Sequence, residues 1–201
     1  MIFYEPHKRD RALLPHDPFK ALIAPRPIGW VSSMSLAGAV NLAPYSYFNA
    51  FSSGPPILGF SSEGFKDSAA FIAETREFVW NMPTYALRDA MNASSAPLPR
   101  GVNEFEHAGL TMAASRFVKP PRVAESPCAM ECRLIEIKEL RDIEGRPVDR
   151  YLILGQEIGV HLDETFVKNG MADITAMQPI ARCGYADYAV VDKVFSIMRP
   201  G

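Results

Sequence analysis

The sequence predicts a mainly β protein, an antiparallel barrel with short helical insertions, α+β by content. Three observations lead there. About six or seven runs have strand character, mixing branched and aromatic residues between Pro, Gly, Asn or Asp, and most are joined by short turns. Only about two or three short segments have helical spacing. The strand–helix–strand alternation of a doubly wound sheet is absent, so strands are expected to pair with their chain neighbours.

Length and composition bound the reading. With 201 residues the chain suits one domain, residues 1–201, with a core over about 20–191 and an N-terminal arm over 1–19. Hydrophobic residues at 48% and charged residues at 22% are ordinary for a globular protein. A net charge of −2 with scattered Lys and Arg gives no basic stripe, which argues against nucleic acid as a partner. No apolar run approaches the roughly 20 residues of a spanning helix. Met1 to Arg11 lacks the apolar centre of a signal peptide, so no membrane association and a cytoplasmic location are expected.

The elements follow in order. Pro6, Pro15 and Pro18 interrupt the arm, which becomes strand-like only near its end, and Lys20 to Ala24 leads into a hairpin. Ile28 to Ser35 forms one strand of that hairpin, Leu36 to Ala39 the turn, and Val40 to Ala43 the return. Tyr45 to Asn49 is an aromatic and polar mixture, followed by a short apolar strand, Ile57 to Phe60. A helix starts at Lys66-Asp67-Ser68, where Asp67 or Ser68 can cap the first turn and Phe71, Ile72 and Thr75 share a face. Glu77 to Asn81 reads as a strand, and Tyr85 to Ala93 as a helix with Leu87, Ala90 and Met91 inward.

Ser94 to Glu106, with Pro97, Pro99 and Gly101 and no periodicity, is a loop of the length that often carries function. Ala129 to Leu140 and Tyr151 to Leu162 form a long antiparallel hairpin about the Glu144-Gly145 turn. Cys128 and Cys132 share a face of the first of these strands. They read as reduced, buried thiols, with a redox or metal role as the other possibility. The four histidines lack zinc spacing, so no metal is expected.

For chemistry, the glycine-rich dinucleotide fingerprint, the P-loop and the serine-hydrolase elbow are all missing. A constellation remains that suits a phosphorylated aromatic ligand. Lys66 and Ser68 flank a helix start whose free N–H groups attract anions, although an ordinary solvated lysine beside an ordinary cap reads the same way. Ser32 and Ser33 stand where a core strand prefers Val or Ile, either facing a polar ligand or filling tight packing positions. Trp30, Tyr45, Tyr47 and Phe48 either wall a ring system or belong to the core, and Asn49 would need partners if buried.

The runs PRPIGWVSS, NLAPYSYFNAFSSGPP, KDS, NASSAPLPRGVNEFEHAGL and PIARCGYADYAVV, in that order over Leu22 to Val191, resemble the flavin reductase-like family with an FMN-binding split barrel. The resemblance implies a six-stranded antiparallel split barrel of Greek-key type that forms a homodimer and binds FMN near the subunit interface. Carried over by position, Trp30, Val31, Ser32, Ser33, Ser46, Tyr47, Phe48 and Asn49 would line the flavin ring and ribityl chain, and Ser61, Ser62, Lys66 and Ser68 the phosphate. It implies hydride or electron transfer from NAD(P)H to the flavin and on to an acceptor, with no catalytic side chain. A Gly-Asp-His motif found in reductases that serve monooxygenases is replaced here by Tyr151 to Glu157, and the NASSAP loop resembles the flavoredoxin branch instead. An FMN-binding electron carrier without nicotinamide activity is therefore the alternative. His161 follows the missing motif and reads either as reaching the site or as a structural strand residue.

Overall fold

The computed structural model describes residues 1–99 and 101–201. The exposed arm ends in a helical turn, α1 (Phe19–Leu22), where the sequence pointed to an extended approach. The turn forms because Asp17 Oδ1 accepts the Phe19 N–H at 3.0 Å and the Pro18 carbonyl accepts the Leu22 N–H at 2.9 Å.

Strands β1 (Gly29–Met34) and β2 (Val40–Tyr45) make the opening hairpin, with Trp30 opposite Pro44 and Ser33 opposite Asn41. Gly38, at φ 87°, supplies the left-handed position of its turn. Two further strands follow, β3 (Phe48–Ser53) and β4 (Pro56–Glu63), then α2 (Asp67–Thr75) and β5 (Glu77–Asn81). Short helices α3 (Arg88–Ala93) and α4 (Glu104–His107) flank the loop between them. Strands β6 (Cys128–Arg141) and β7 (Pro147–Leu162) form the long hairpin, and β8 (Ile180–Gly184) with β9 (Asp187–Val190) a smaller one. No helix among the described residues is long and apolar enough to cross a membrane.

Seven strands form one antiparallel sheet in the order β2-β1-β5-β6-β7-β4-β3. The sheet has seven strands, within the six or seven counted from sequence, where the resemblance implied a six-stranded barrel; Phe48–Ser53, which begins in the aromatic and polar mixture Tyr45 to Asn49, is a strand in its own right. The two edges, β2 and β3, are separated in the chain only by Ser46 and Tyr47. A gap that short spans about 11 Å at most, so the sheet must curl until its edges approach at this corner. No ladder joins β2 to β3 among the described residues, and the seam stays open.

Alternation along β1 explains why the strand is buried throughout. Val31 points into a cluster with Phe60, Ile72, Phe78 and Ile153 beneath α2. Trp30 points the other way, into a cluster with Leu42, Met91, Phe105 and Ile180. Close backbone approach sets one glycine between strands: a Cβ on Gly155 would lie 2.3 Å from Phe78 Cε1.

Candidate functional site

The corner where the sheet edges approach opens into a cleft of about 630 Å³. The end of β2 forms one wall, the end of β4 and the start of α2 another, and Ser94 to Leu98 the third.

At its inner end lies the start of α2. The N-cap of α2 is Lys66, with no side-chain cap, so neither Asp67 nor Ser68 caps the helix as expected. Ser68 Oγ instead donates to Asn41 Oδ1 at 2.7 Å, and Ser62 Oγ to the Gly64 carbonyl at 2.9 Å. First-turn N–H groups have no intrahelical acceptor, and the helix dipole makes this end attractive to an anion. Burial pushes the Tyr45 phenol up, only partly offset by the Ser68 and Ser62 hydroxyls, so Tyr45 remains a neutral donor at ordinary pH. Glu104 lines the same cleft and accepts the Leu42 N–H at 3.1 Å. Burial and neighbouring Asp67 hold its carboxyl above the usual range, with the hydrogen bonds opposing them.

Of the residues singled out from sequence, the structure brings Ser46, Tyr47, Ser61, Ser62, Lys66 and Ser68 together on this cleft. The others lie elsewhere. Trp30 is fully buried, and its indole N–H donates to Ser94 Oγ at 2.9 Å. Val31 is fully buried in the cluster beneath α2. Ser32 Oγ donates to the Pro121 carbonyl at 2.5 Å and does not line the cleft. The backbone of Trp30 to Ser32 is also flanked by ladders on both sides, with β2 and β5. Phe48 stacks on Trp80 with the rings 5.8 Å apart, and the exposed Asn49 accepts the Ala50 N–H, so neither lines the cleft. Ser33 differs from its neighbours: its hydroxyl is buried without a hydrogen-bond partner, across the hairpin from cleft residue Asn41.

Asn41 and Glu104 were absent from the sequence-derived set, and Tyr45 entered it only as a possible wall for a ring system. The hairpin register was the signal for Asn41, since it places that residue opposite Ser33. The loop read as functional contributes Ser94 to Leu98 to the cleft, whereas Arg100 lies outside the described residues. His161 does not line the cleft: its Nε2 lies 2.5 Å from Glu131 Oε1 on the adjacent strand. Cys128 and Cys132 are buried, and burial pushes Cys128 up to about 11 and Cys132 further in the same direction, so both are held as unreactive thiols.

An open antiparallel sheet carrying an anion-ready helix terminus in a cleft at its seam defines a class of small β proteins. The chain belongs to the flavin reductase like domain family, which it matches over residues 22–173. A protein of Halalkalibacterium halodurans is 34% identical over 183 residues, covering 89% of this chain and 87% of its own. Nitrilotriacetate monooxygenase component B from Bacillus cereus superposes with a TM-score of 0.89 at 29% identity, over 98% of each chain. Flavoredoxin of Desulfovibrio vulgaris (Miyazaki F) shares the fold, with a TM-score of 0.77 at 21% identity over 87% of this chain and 91% of that one.

Proposed function

We propose that this protein, one domain over residues 1–201, is an FMN-binding oxidoreductase that passes reducing equivalents from NAD(P)H through flavin to an acceptor. The single observation that carries the reading is the helix start in the cleft, with Lys66, Ser61, Ser62, Ser68 and Tyr45 converging on it. That set fits a phosphate monoester: an ammonium, the Tyr45 and Ser61 hydroxyls and first-turn amides, with the Ser62 and Ser68 hydroxyls joining only by turning from Gly64 and Asn41. Ser46 and Tyr47 stand where the ribityl chain and ring would leave the phosphate, with Pro97 and Leu98 across the cleft. Bound there, FMN would supply the two-electron chemistry, and the protein needs no acid, base or nucleophile of its own.

The residues of this chain would then bind, orient and exclude water. Tyr45 holds a proton at its phenol oxygen for donation to a phosphate oxygen, and Lys66 supplies the counter-charge. Ser33, a buried hydroxyl without a partner, stands across the hairpin from Asn41, where a small shift would let it support the same end.

The mouth of the cleft is broad, and a second copy of the chain would narrow it. Exposed apolar side chains beside the seam, Phe51 and Tyr47 among them, support a homodimer. Light scattering on the FMN-loaded protein is expected to give twice the chain mass, and a monomer mass would contradict the dimer. A cytoplasmic setting suits the reduced, buried thiols.

A carrier without nicotinamide activity is the second reading. It is favoured by the engagement of His161 with Glu131, which leaves the β7 strand with no histidine directed to the cleft. Anaerobic mixing separates the two. Rapid bleaching of bound flavin by NADH or NADPH alone is expected for the oxidoreductase; bleaching only with a partner reductase would establish the carrier.

A further inference from the structure

A second recess lies between α3 and the β8–β9 hairpin, and it is joined to the cleft just described. Its volume is about 500 Å³. A connecting hollow of about 340 Å³ shares Lys20, Pro44, Ser46 and Ser95 with the cleft, and Met91, Asn92, Arg182 and Tyr188 with the recess. The three hollows adjoin through these shared side chains.

Its charge is unlike that of the chain as a whole, which carries a net −2. Lys20, Arg26, Arg88 and Arg182 line the recess and hollow; among the described residues the only acidic side chain lining either is Asp89, whose Oδ2 lies 3.4 Å from Arg88 Nη2 in an exposed pair that a bound carboxylate would have to displace or share. Two of these cations are held in fixed orientations. The Arg88 guanidinium lies 4.3 Å from the Tyr85 ring centre and donates to the Tyr85 carbonyl at 2.8 Å. That of Arg182 lies 4.5 Å from the Tyr188 ring centre and donates to the Tyr185 carbonyl. Arg26 is only 7% exposed, and its Nε and Nη2 have no hydrogen-bond partner.

A buried guanidinium without an acidic partner leaves an uncompensated charge that favours an anion nearby. Held flat over tyrosine rings, Arg88 and Arg182 lose little entropy on binding, and their planar forks match a carboxylate. Between them Met91, Ile180 and Val190 supply an apolar floor. The hairpin side of the groove is fixed against α1, because Gly184, at φ +106°, packs where a Cβ would lie 2.6 Å from Ala21 Cα.

The geometry points to this recess as a binding site for a planar aromatic or conjugated carboxylate, the anion held by Arg88 and Arg182 and the unsaturated body directed along the groove. Its role as the substrate that exchanges electrons with the cleft rests on the flavin reading above; the binding itself does not.

Isothermal titration of the full-length protein with sodium benzoate, and with benzamide as the neutral analogue, tests it. Benzoate is expected to bind with or without FMN, at least about tenfold more tightly than benzamide. Arg88→Gln and Arg182→Gln are each expected to weaken benzoate about tenfold while leaving the FMN affinity and the melting temperature unchanged. Benzoate binding without FMN binding would sink the flavin reading and leave the recess assigned. The assignment is overturned if benzoate fails to bind, if FMN displaces it, or if neither substitution weakens it. It is likewise overturned if adenosine diphosphate binds more tightly than benzoate and is lost in the same two variants, which would make the recess a dinucleotide subsite.

Discussion

Glu131→Gln is expected to destabilise the fold by about 3 kcal/mol, the largest effect of any conservative polar substitution in this protein. The Glu131 side chain is fully buried on β6, and its two oxygens organise a segment that has no regular structure of its own. Oε1 accepts the Arg116 N–H at 2.6 Å and lies 2.5 Å from His161 Nε2. Oε2 accepts the N–H groups of Phe117 at 2.6 Å and Val118 at 3.0 Å. Gln keeps one oxygen but turns an amide NH2 toward these donors, leaving buried N–H groups without an acceptor.

The pH dependence follows from the same contacts. Burial pushes the Glu131 carboxyl up, yet the Arg116, His161, Phe117 and Val118 hydrogen bonds outweigh it and hold the group below its usual range. A depressed value in the folded state stabilises the fold above the unfolded carboxyl's value of about 4.3. That stability is lost as pH falls through the folded value. Urea unfolding should show the variant less stable at neutral pH with an unchanged m-value, and the gap should narrow on acidification. A difference below about 0.5 kcal/mol at neutral pH would show that the segment is held by other contacts.

Trp30→Ala is expected to cost about 3 to 5 kcal/mol, with the indole acting as core and not as a flavin wall. Its side chain is fully buried among Leu42, Met91, Phe105 and Ile180, and its N–H anchors Ser94 at the root of the cleft loop. Trp30→Phe discriminates the two roles, because it fills much of the volume while altering any stacked aromatic. The visible spectrum of bound FMN is expected to be the same in Trp30→Phe and the wild type. A shifted spectrum in that variant would place residue 30 against the flavin.

What the sequence made legible was local. The opening hairpin shows in a Pro-bounded β-prone run and a Gly-containing turn, and the β6–β7 hairpin in apolar spacing about Glu144-Gly145. The start of α2 was readable from Lys66-Asp67-Ser68. The strand Phe48–Ser53 was not, because it is an edge strand, mostly exposed, without the alternation that burial on one face imposes. Glu131 was hidden for a different reason. It falls on the face of β6 that reads as polar, and only a distant loop, Arg116 to Val118, buries it.

The aromatic cluster shows why composition alone could not place the cofactor. Trp30, Tyr45 and Phe48 look equivalent in the sequence. Strand parity sends Trp30 into one core cluster, pairing stacks Phe48 on Trp80, and only Tyr45 reaches the cleft with its hydroxyl. The cleft's helix start was better specified, since it depends on consecutive residues.

A titration of the protein with FMN and with riboflavin, which lacks the phosphate, tests whether the cleft holds a flavin by its phosphate. FMN is expected to bind about a hundredfold more tightly than riboflavin, from charge-assisted contacts at the helix start. Lys66→Ala should remove about tenfold of that difference while leaving riboflavin binding and the melting temperature unchanged. Equal affinity for FMN and riboflavin, or no binding of either, would contradict the assignment.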